Sequence, residues 1–263
     1  MHPLSKLTVP KGSVGIHWFE QNAYALVDSK GTIVLVDPYF PTERSMERFI
    51  RPKPPVVEAE LPTSCVLLTH AHGDHTNTET VSRIRAAWPE CVYVGPVESI
   101  DQIVSEAGVD AAYTRVIVAG GSVAVGDMRV YASYAKPPQG DPEAGITGPR
   151  VAHLSLVIEI EGHRIYVTGD AINNLADHDE LLGPVAALRP DIGFLTTHPT
   201  EGEFPYFEGI VRIAKKVGLT TAVPSHYACF AKRTYDPNEL AALLKEADVE
   251  PLIIPWNSHV VYS

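Results

Sequence analysis

Two apolar segments open the chain in "VGIHWFEQNAYALVDSKGTIVLVDPYF", and the turn chemistry of "DSKG" between them predicts a hairpin. "SCVLLTH" reads as an interior strand, a short apolar run. Behind it, "ETVSRIRAAW" carries apolar residues at helical spacing. Thr76 and Glu79 offer a T-x-x-E capping box at its start, and Pro89 stops it. "CVYVGP" predicts another strand and "VESIDQIVSEAG" a helix. "TRVIVAGGSVAVGDMRVYASYA" predicts strands broken at Gly120-Gly121 and Gly126-Asp127, most simply a meander.

Both periodicities vanish between Lys136 and Arg150, where "KPPQGDPEAGITGPR" is rich in proline and glycine. A loop of this length suits a lid or a pocket rim, with a domain linker as the alternative. Regular structure resumes in "HLSLVIEIEGHRIYVTGD", two strands around a Glu-Gly turn. A helical stretch, strand "DIGFLTTH", helix "FEGIVRIAKKVG", strand "TTAVPSH", helix "DPNELAALLKEA" and a terminal strand pair in "PLIIPWNSHVVYS" follow. Strands interleaved with helices predict sheets covered by helices, an α/β layered sandwich.

Composition narrows the function classes. With 263 residues, 45% of them hydrophobic, the chain can bury a sizeable core. A formal net charge of -11 argues against general affinity for nucleic acid or an anionic membrane. The first residues lack a signal-peptide core and no apolar run is long enough to span a bilayer, so a cytoplasmic protein is expected. Cys65, Cys91 and Cys229 are too scattered for a disulfide framework or a C-x-x-C site, and core packing is their expected role.

The chemistry concentrates in "LLTHAHGDHTNTET". Alternate residues of an extended segment face one side, so His70, His72 and Asp74 can converge as the strand runs out, with His75 beside them at the helix entrance. Imidazoles and a carboxylate suit divalent transition ions, and four such groups beside a core strand are otherwise a costly polar cluster. Three later positions repeat the placement at a strand end: His153 before "LSLVIEI", Asp170 in "IYVTGD" and His226 in "VPSH". Metal coordination is the expected role of all seven.

"THAHGDH" with downstream His153, Asp170 and His226 resembles the metallo-β-lactamase superfamily over nearly the whole chain. More narrowly, "WFEQNAYAL", "TIVLVDPYF", "YVGPVESIDQIVSEAGV", "IYVTGDAINN" and "VPSHYACFAKRTYDPNEL" resemble the L-ascorbate-6-phosphate lactonase-like branch. The resemblance implies an αβ/βα four-layer sandwich, two facing mixed sheets with helices outside, as one domain over residues 1–263. It implies that His70, His72 and His153 hold one divalent cation, that Asp74, His75 and His226 hold another, and that Asp170 bridges them. Two cations so held lower the pKa of a bound water and polarise the oxygen it attacks. Asp74 is then placed to orient the nucleophile or carry its proton, making Asp74 and Asp170 the expected catalytic carboxylates. Nitrogen and oxygen ligands suit Zn or Mn, with Fe also compatible. A redox di-iron enzyme of this fold resembles H-x-E-x-D-H, so His72 in the glutamate position argues against one.

The expected function is metal-dependent hydrolysis of a small molecule, most simply a lactone and among lactones a phosphorylated sugar lactone. A phosphodiesterase acting on a small phosphoester is the alternative, and a non-catalytic ligand-binding protein on a hydrolase scaffold is the alternative of another class. Lys232 and Arg233 follow the His226 strand, and Lys136 and Arg150 bound the long loop; any of these can hold an anionic group of the substrate. His198, ending "DIGFLTTH", is a further candidate substrate contact. Asn173-Asn174 are expected to cap the next helix, and Ser225 to point away from its neighbour His226. His17, His163, His178 and His259 are expected to be structural. Self-association is left open.

Overall fold

Alternation along the strands decides the layering of the fold. In the computed structural model, which describes residues 2–263, the first sheet begins with β1 (Val14–Glu20), β2 (Ala23–Val27) and β3 (Ile33–Val36), paired antiparallel. Ile16, Leu26, Val34 and Val36 face a second sheet, whereas Ala25, Ile33 and Leu35 face helices on the other side. Burial on both faces explains why these segments read as continuous apolar runs.

From β3 the sheet continues in parallel through β4 (Thr63–Leu67), then α1 (Thr78–Ala87), β5 (Val92–Gly95), α2 (Val97–Ala107) and β6 (Thr114–Val116). The second sheet opens with the hairpin of β7 (Ser122–Val125) and β8 (Met128–Tyr134). A two-residue ladder, β9 (Gly140–Asp141) with β10 (Ile146–Thr147), stiffens the long loop. Gly140 is required there: its φ is 75°, and a Cβ would meet Ile146 O at 2.3 Å. β11 (Leu154–Ile160), β12 (His163–Val167), α3 (Asp179–Ala187), β13 (Ile192–Thr196), α4 (Phe207–Val217), β14 (Thr221–Ser225), α5 (Pro237–Glu246) and β15 (Glu250–Pro251) complete it, before β16 (Ser258–Tyr262) returns to pair with β1. The two sheet orders are β16-β1-β2-β3-β4-β5-β6 and β15-β14-β13-β12-β11-β8-β7.

Leu156, Ile158, Val167 and Phe194 meet the first sheet across the central core. Val81, Ile84, Ile100 and Ile103 seal one outer face, and Leu182, Ile210, Ile213 and Leu240 seal the other. The result is an αβ/βα four-layer sandwich. Truncating a central-core side chain such as Phe194 to Ala is worth about 3–5 kcal/mol. Glycines in the left-handed region, Gly108 and Gly218, end α2 and α4 as helix-terminating residues. Among the described residues no helix is long and apolar enough to cross a membrane.

Four local expectations need correction. The first apolar segment is itself a hairpin, because the polar residues Gln21 and Asn22 form a turn that sequence periodicity passes over. The N-cap of α1 is Asn77, whose side chain accepts from Thr80 N; Thr76 Oγ1 instead donates to His70 O and lies 2.9 Å from Ser99 Oγ, and Glu79 accepts from Thr42 and Arg83. The expected meander is divided between sheets: Ile117 N still bonds Gly95 O in the first, whereas Gly120 N bonds Ala132 O in the second. The expected terminal pair is divided likewise, with β15 on β14 and β16 on β1. Local pattern cannot distinguish a sheet partner from a sheet crossing. The three cysteines are buried and free, as expected of packing residues.

Candidate metal centre

Both sheets deliver their chemistry to one edge. β3, β4 and β5 run in parallel, so the residues after β4 emerge where β3 ends, and the β1–β2 turn lies at that same edge. In the second sheet β12, β13 and β14 end there and the antiparallel β11 begins there. Ligand sites at the carboxyl ends of parallel strands are general in α/β sheets. Backbone bonds tie the sheets together at this edge: Leu154 N donates to Thr69 O at 3.0 Å, and His226 N donates to Gln21 O at 3.2 Å. Gly169 has φ 58°, and a Cβ there would stand 2.6 Å from Leu154 O, so the turn presenting Asp170 depends on glycine.

Three overlapping groups of side chains gather at the edge, each with one donor atom per residue within 4.8 Å of the others: His70, His72 and His153; His70, His75 and Asp170; Asp74, His75 and His226. All seven residues expected to coordinate metal are thus brought together. Asp170 lies between the outer groups. Its Oδ2 is 3.6 Å from His70 Nε2, while its Oδ1 is 3.3 Å from His75 Nε2 and 3.5 Å from His226 Nε2. His72 is exposed and Asp74 half-buried, so the cluster opens to solvent on those two sides.

The buried imidazoles are oriented from behind. Asp37, fully buried at the end of β3, accepts from Thr69 N at 2.8 Å, Thr69 Oγ1 at 2.6 Å and His75 Nδ1 at 2.7 Å. Since the Thr69 hydroxyl proton is committed to Asp37, its oxygen accepts from His70 Nδ1 at 3.0 Å. Both histidines therefore present Nε2 to the centre, and both Nε2 atoms are buried with no hydrogen-bond partner among the described residues. Such orphans are costly unless another acceptor of lone pairs fills the space. A divalent cation fits this donor set of nitrogen and oxygen atoms.

The electrostatics agree. Burial presses the His70 imidazole well below its ordinary range, with neighbouring imidazoles adding to the effect. Burial, with Lys136 nearby, takes His153 down to about 3, and burial lowers His226. Burial also opposes a charge on His75, but the carboxylates of Asp170, Asp37 and Asp74 outweigh it and hold that imidazole well above its usual range. Asp170, whose burial favours the neutral acid, is nonetheless held well below the carboxylate range by His75 and His226. Three imidazoles held neutral, His70, His153 and His226, thus stand with a charged His75 around the ionised carboxylate of Asp170, a donor set in which a cation can take the place of the His75 proton.

Cavities flank the cluster on its open sides. One of about 830 Å³ is bounded by Asp74, Tyr39, Arg48, Phe230, Lys232 and Arg233. A smaller one of about 290 Å³ is bounded by His72, His153, Lys136, Arg150 and Asn173, so the long loop forms a rim. Arg233 pairs with Glu201 at 3.0 Å and Glu203 at 3.6 Å, whereas Arg48 and Lys232 form no ion pair among the described residues. Lys136 pairs with Glu203 at 3.6 Å.

His198 is buried outside the three donor groups; its Nδ1 accepts from Thr200 N and Glu201 N, shaping the loop after β13. Asn173 and Asn174 do not cap a helix with their side chains: they donate to Gly202 O and to Asp141, tying loops together. Ser225 Oγ is engaged by Tyr24 OH at 2.5 Å. His17, His163 and His178 bond to Asn257, Asp191 and Glu180 respectively, away from the cluster.

Sequence reasoning missed the supporting residues Asp37, Thr69, Gln21 and Asn22. Gln21 Nε2 reaches Asp74 Oδ2 at 3.1 Å and His226 Nε2 at 2.8 Å, and Asn22 Nδ2 reaches Asp170 Oδ1 at 3.4 Å and Thr196 Oγ1 at 3.0 Å. The available signal was the polar triplet "EQN" interrupting an apolar run, where buried polar residues demand partners.

Known proteins share this architecture. A UPF0173 metal-dependent hydrolase of Methanospirillum hungatei is 26% identical over 230 residues, covering 84% of this chain and 87% of that protein. Igni18, a metallo hydrolase of Ignicoccus hospitalis, superposes with a TM-score of 0.68 at 18% identity, over 95% of this chain and 99% of that one. An isothiocyanate hydrolase from Delia radicum gut bacteria superposes with a TM-score of 0.70, also at 18% identity and over 95% and 99% of the two chains. Residues 32–227, which include all seven clustered donors, match the beta-lactamase superfamily domain, and the chain belongs to the metallo-β-lactamase superfamily.

Proposed function

We propose that this chain is a hydrolase that works with two divalent cations, one held by His70, His72 and His153 and the other by Asp74, His75 and His226, with Asp170 shared between them. The observation that carries the reading is Asp170, whose two oxygens face different histidines of the two outer groups. When bound, such cations make a water nucleophilic near neutral pH and polarise the bond it attacks. Asp74, on the wall of the larger cavity, orients the attacking water and takes its proton at the carboxylate. Asp37 and Thr69 fix the rings of His75 and His70, so the reacting geometry is set before substrate arrives.

The substrate is a small anionic molecule, with a lactone favoured and a phosphorylated sugar lactone foremost, in keeping with the lactonase-like sequence features. Lys232 faces the same cavity as Asp74, with Arg48 and Arg233 beside it, so a phosphate or carboxylate on the substrate meets positive charge while its reactive carbonyl lies toward the metals. The same basic residues also suit a small phosphoester, which is the second reading.

A pH-stat assay of plain and phosphorylated sugar lactones, on protein loaded separately with manganese and zinc, tests the proposal. Metal-dependent acid release that His72→Ala abolishes is the expected result. Silence across the lactones, with metal bound and a small phosphodiester cleaved, replaces the lactone reading with the phosphoester one.

A further inference from the structure

The turn between β1 and β2 holds Gln21 with φ 54°, and opposite it His226 has φ 68°. Neither is glycine, and a residue held in such a region costs of order 1–3 kcal/mol unless its surroundings enforce it. Here they do. Gln21 N donates to Tyr227 O at 3.1 Å, His226 N donates to Gln21 O at 3.2 Å, and Trp18 Nε1 donates to Gln21 O at 3.1 Å. Two strained residues from different sheets are thereby locked face to face, and both side chains are turned into the metal centre.

The end of the Gln21 side chain is fully buried. Its Nε2 stands 2.8 Å from His226 Nε2 and 3.1 Å from Asp74 Oδ2, while Oε1 has no hydrogen-bond partner among the described residues. Leaving a buried carbonyl oxygen unsatisfied costs about 1–3 kcal/mol. The nitrogen also lies against the lone pair of His226 Nε2, the atom that faces Asp170 and Asp74. A half-turn of the carboxamide exchanges its oxygen and nitrogen in nearly the same positions. The oxygen then stands where the nitrogen does, close to two donors of the second group. Donors bound about 2.1 Å from one cation stand about 3.0 Å apart when at right angles, so this spacing is that of neighbours in one coordination shell.

We propose that Gln21 supplies its side-chain oxygen to the second cation, as a further ligand beside Asp74, His75 and His226. Resting on the dinuclear reading above, this adds an oxygen donor to a site that already shares Asp170. It favours an ion tolerant of more than four ligands and of hard oxygen donors, manganese or ferrous iron, over tetrahedral zinc. In the absence of a cation the amide turns the other way and its N–H groups satisfy His226 and Asp74.

The test uses the full chain, stripped with chelator and reloaded with manganese or cobalt, as wild type, Gln21→Leu and Gln21→Glu. Metal per chain is measured by equilibrium dialysis with elemental analysis, alongside the visible spectrum of the cobalt protein. Wild type is expected to bind two ions. Gln21→Leu keeps the first and binds the second at least tenfold more weakly, and its cobalt bands intensify as coordination number falls. Gln21→Glu, which retains the oxygen, keeps both ions. It also decides the matter should Gln21→Leu fail to fold.

Equal binding of two ions by Gln21→Leu with an unchanged spectrum overturns the proposal. So does loss of the second ion in Gln21→Glu, since a residue that acts only by donating N–H is the one a carboxylate cannot replace. A wild type that binds fewer than two ions sinks the dinuclear reading together with this one. A wild type that binds two ions but hydrolyses nothing removes the proposed activity and leaves the role of Gln21 intact.

Discussion

Asp37 Oδ2 lies 2.7 Å from His75 Nδ1, and both side chains are sealed from water. The contact fixes which imidazole nitrogen carries the proton and leaves Nε2 aimed at Asp170. A partner behind a metal-binding histidine typically governs affinity by about 10–100-fold. Asp37→Asn retains an acceptor but removes the charge, so the expected result is a fall in metal affinity of about that size with the fold preserved. Competition against a chromophoric chelator measures it, and an unchanged affinity would show that His75 needs no anionic partner.

Basic residues at the cavity are not equivalent. Arg233 already faces Glu201 and Glu203, whereas Lys232 is free of such partners among the described residues. Lys232→Ala is therefore expected to raise KM for a phosphorylated substrate about tenfold, or about 1.4 kcal/mol, with a much smaller change for the unphosphorylated analogue. Arg233→Ala should discriminate less between the two. Steady-state kinetics on the matched pair decide this, and equal effects of Lys232→Ala on both substrates would remove it from anion recognition.

Strands, helices and the seven clustered donors were legible because each has a local signature. β4 is a short apolar run, α4 has helical spacing closed by Gly218, and His70 to His75 crowd into six residues. What stayed hidden depends on long-range placement. β6 and β7 lie a few residues apart yet join different sheets, because a crossing has no periodicity of its own. Asp37 and Gln21 reach the centre only after folding brings the ends of β3 and β1 beside β4 and β14, and their spacing to the histidines carries no motif. Asn77 displaced Thr76 as the helix cap because the Thr76 hydroxyl is used by His70 O, a tertiary demand invisible in the T-x-x-E pattern.

Removing metal should cost stability. An ion that binds only the folded chain stabilises it by about 2.7 kcal/mol at a free concentration a hundredfold above its dissociation constant. For a chain of this size that corresponds to a Tm change of about 5 °C or more per ion. Thermal melts with saturating manganese and with chelator are expected to differ by at least this amount, and His72→Ala should show a smaller difference. Superimposable melts of the wild type would mean that no ion binds the native state preferentially.

A histidine far from the metal centre contributes its own share of acid sensitivity. His17 is buried in β1, bonded to Asn257 Oδ1 at 2.9 Å, with the rings of His2 and His259 at 5.2 and 6.2 Å. Burial carries its pKa down to about 4, with the Asn257 bond opposing and the two histidines assisting. Against an unfolded value near 6.5, the unfolded chain binds the extra proton throughout the interval between the two. Stability attributable to His17 is therefore constant above about pH 6.5, falls as pH drops toward 4 by about 3 kcal/mol in all, and is flat below. His17→Gln, which can still bond Asn257, removes that titration. Urea melts of metal-stripped wild type and variant at pH 7, 5.5 and 4 should show the wild type losing stability more steeply, and parallel losses would assign the acid sensitivity to other groups.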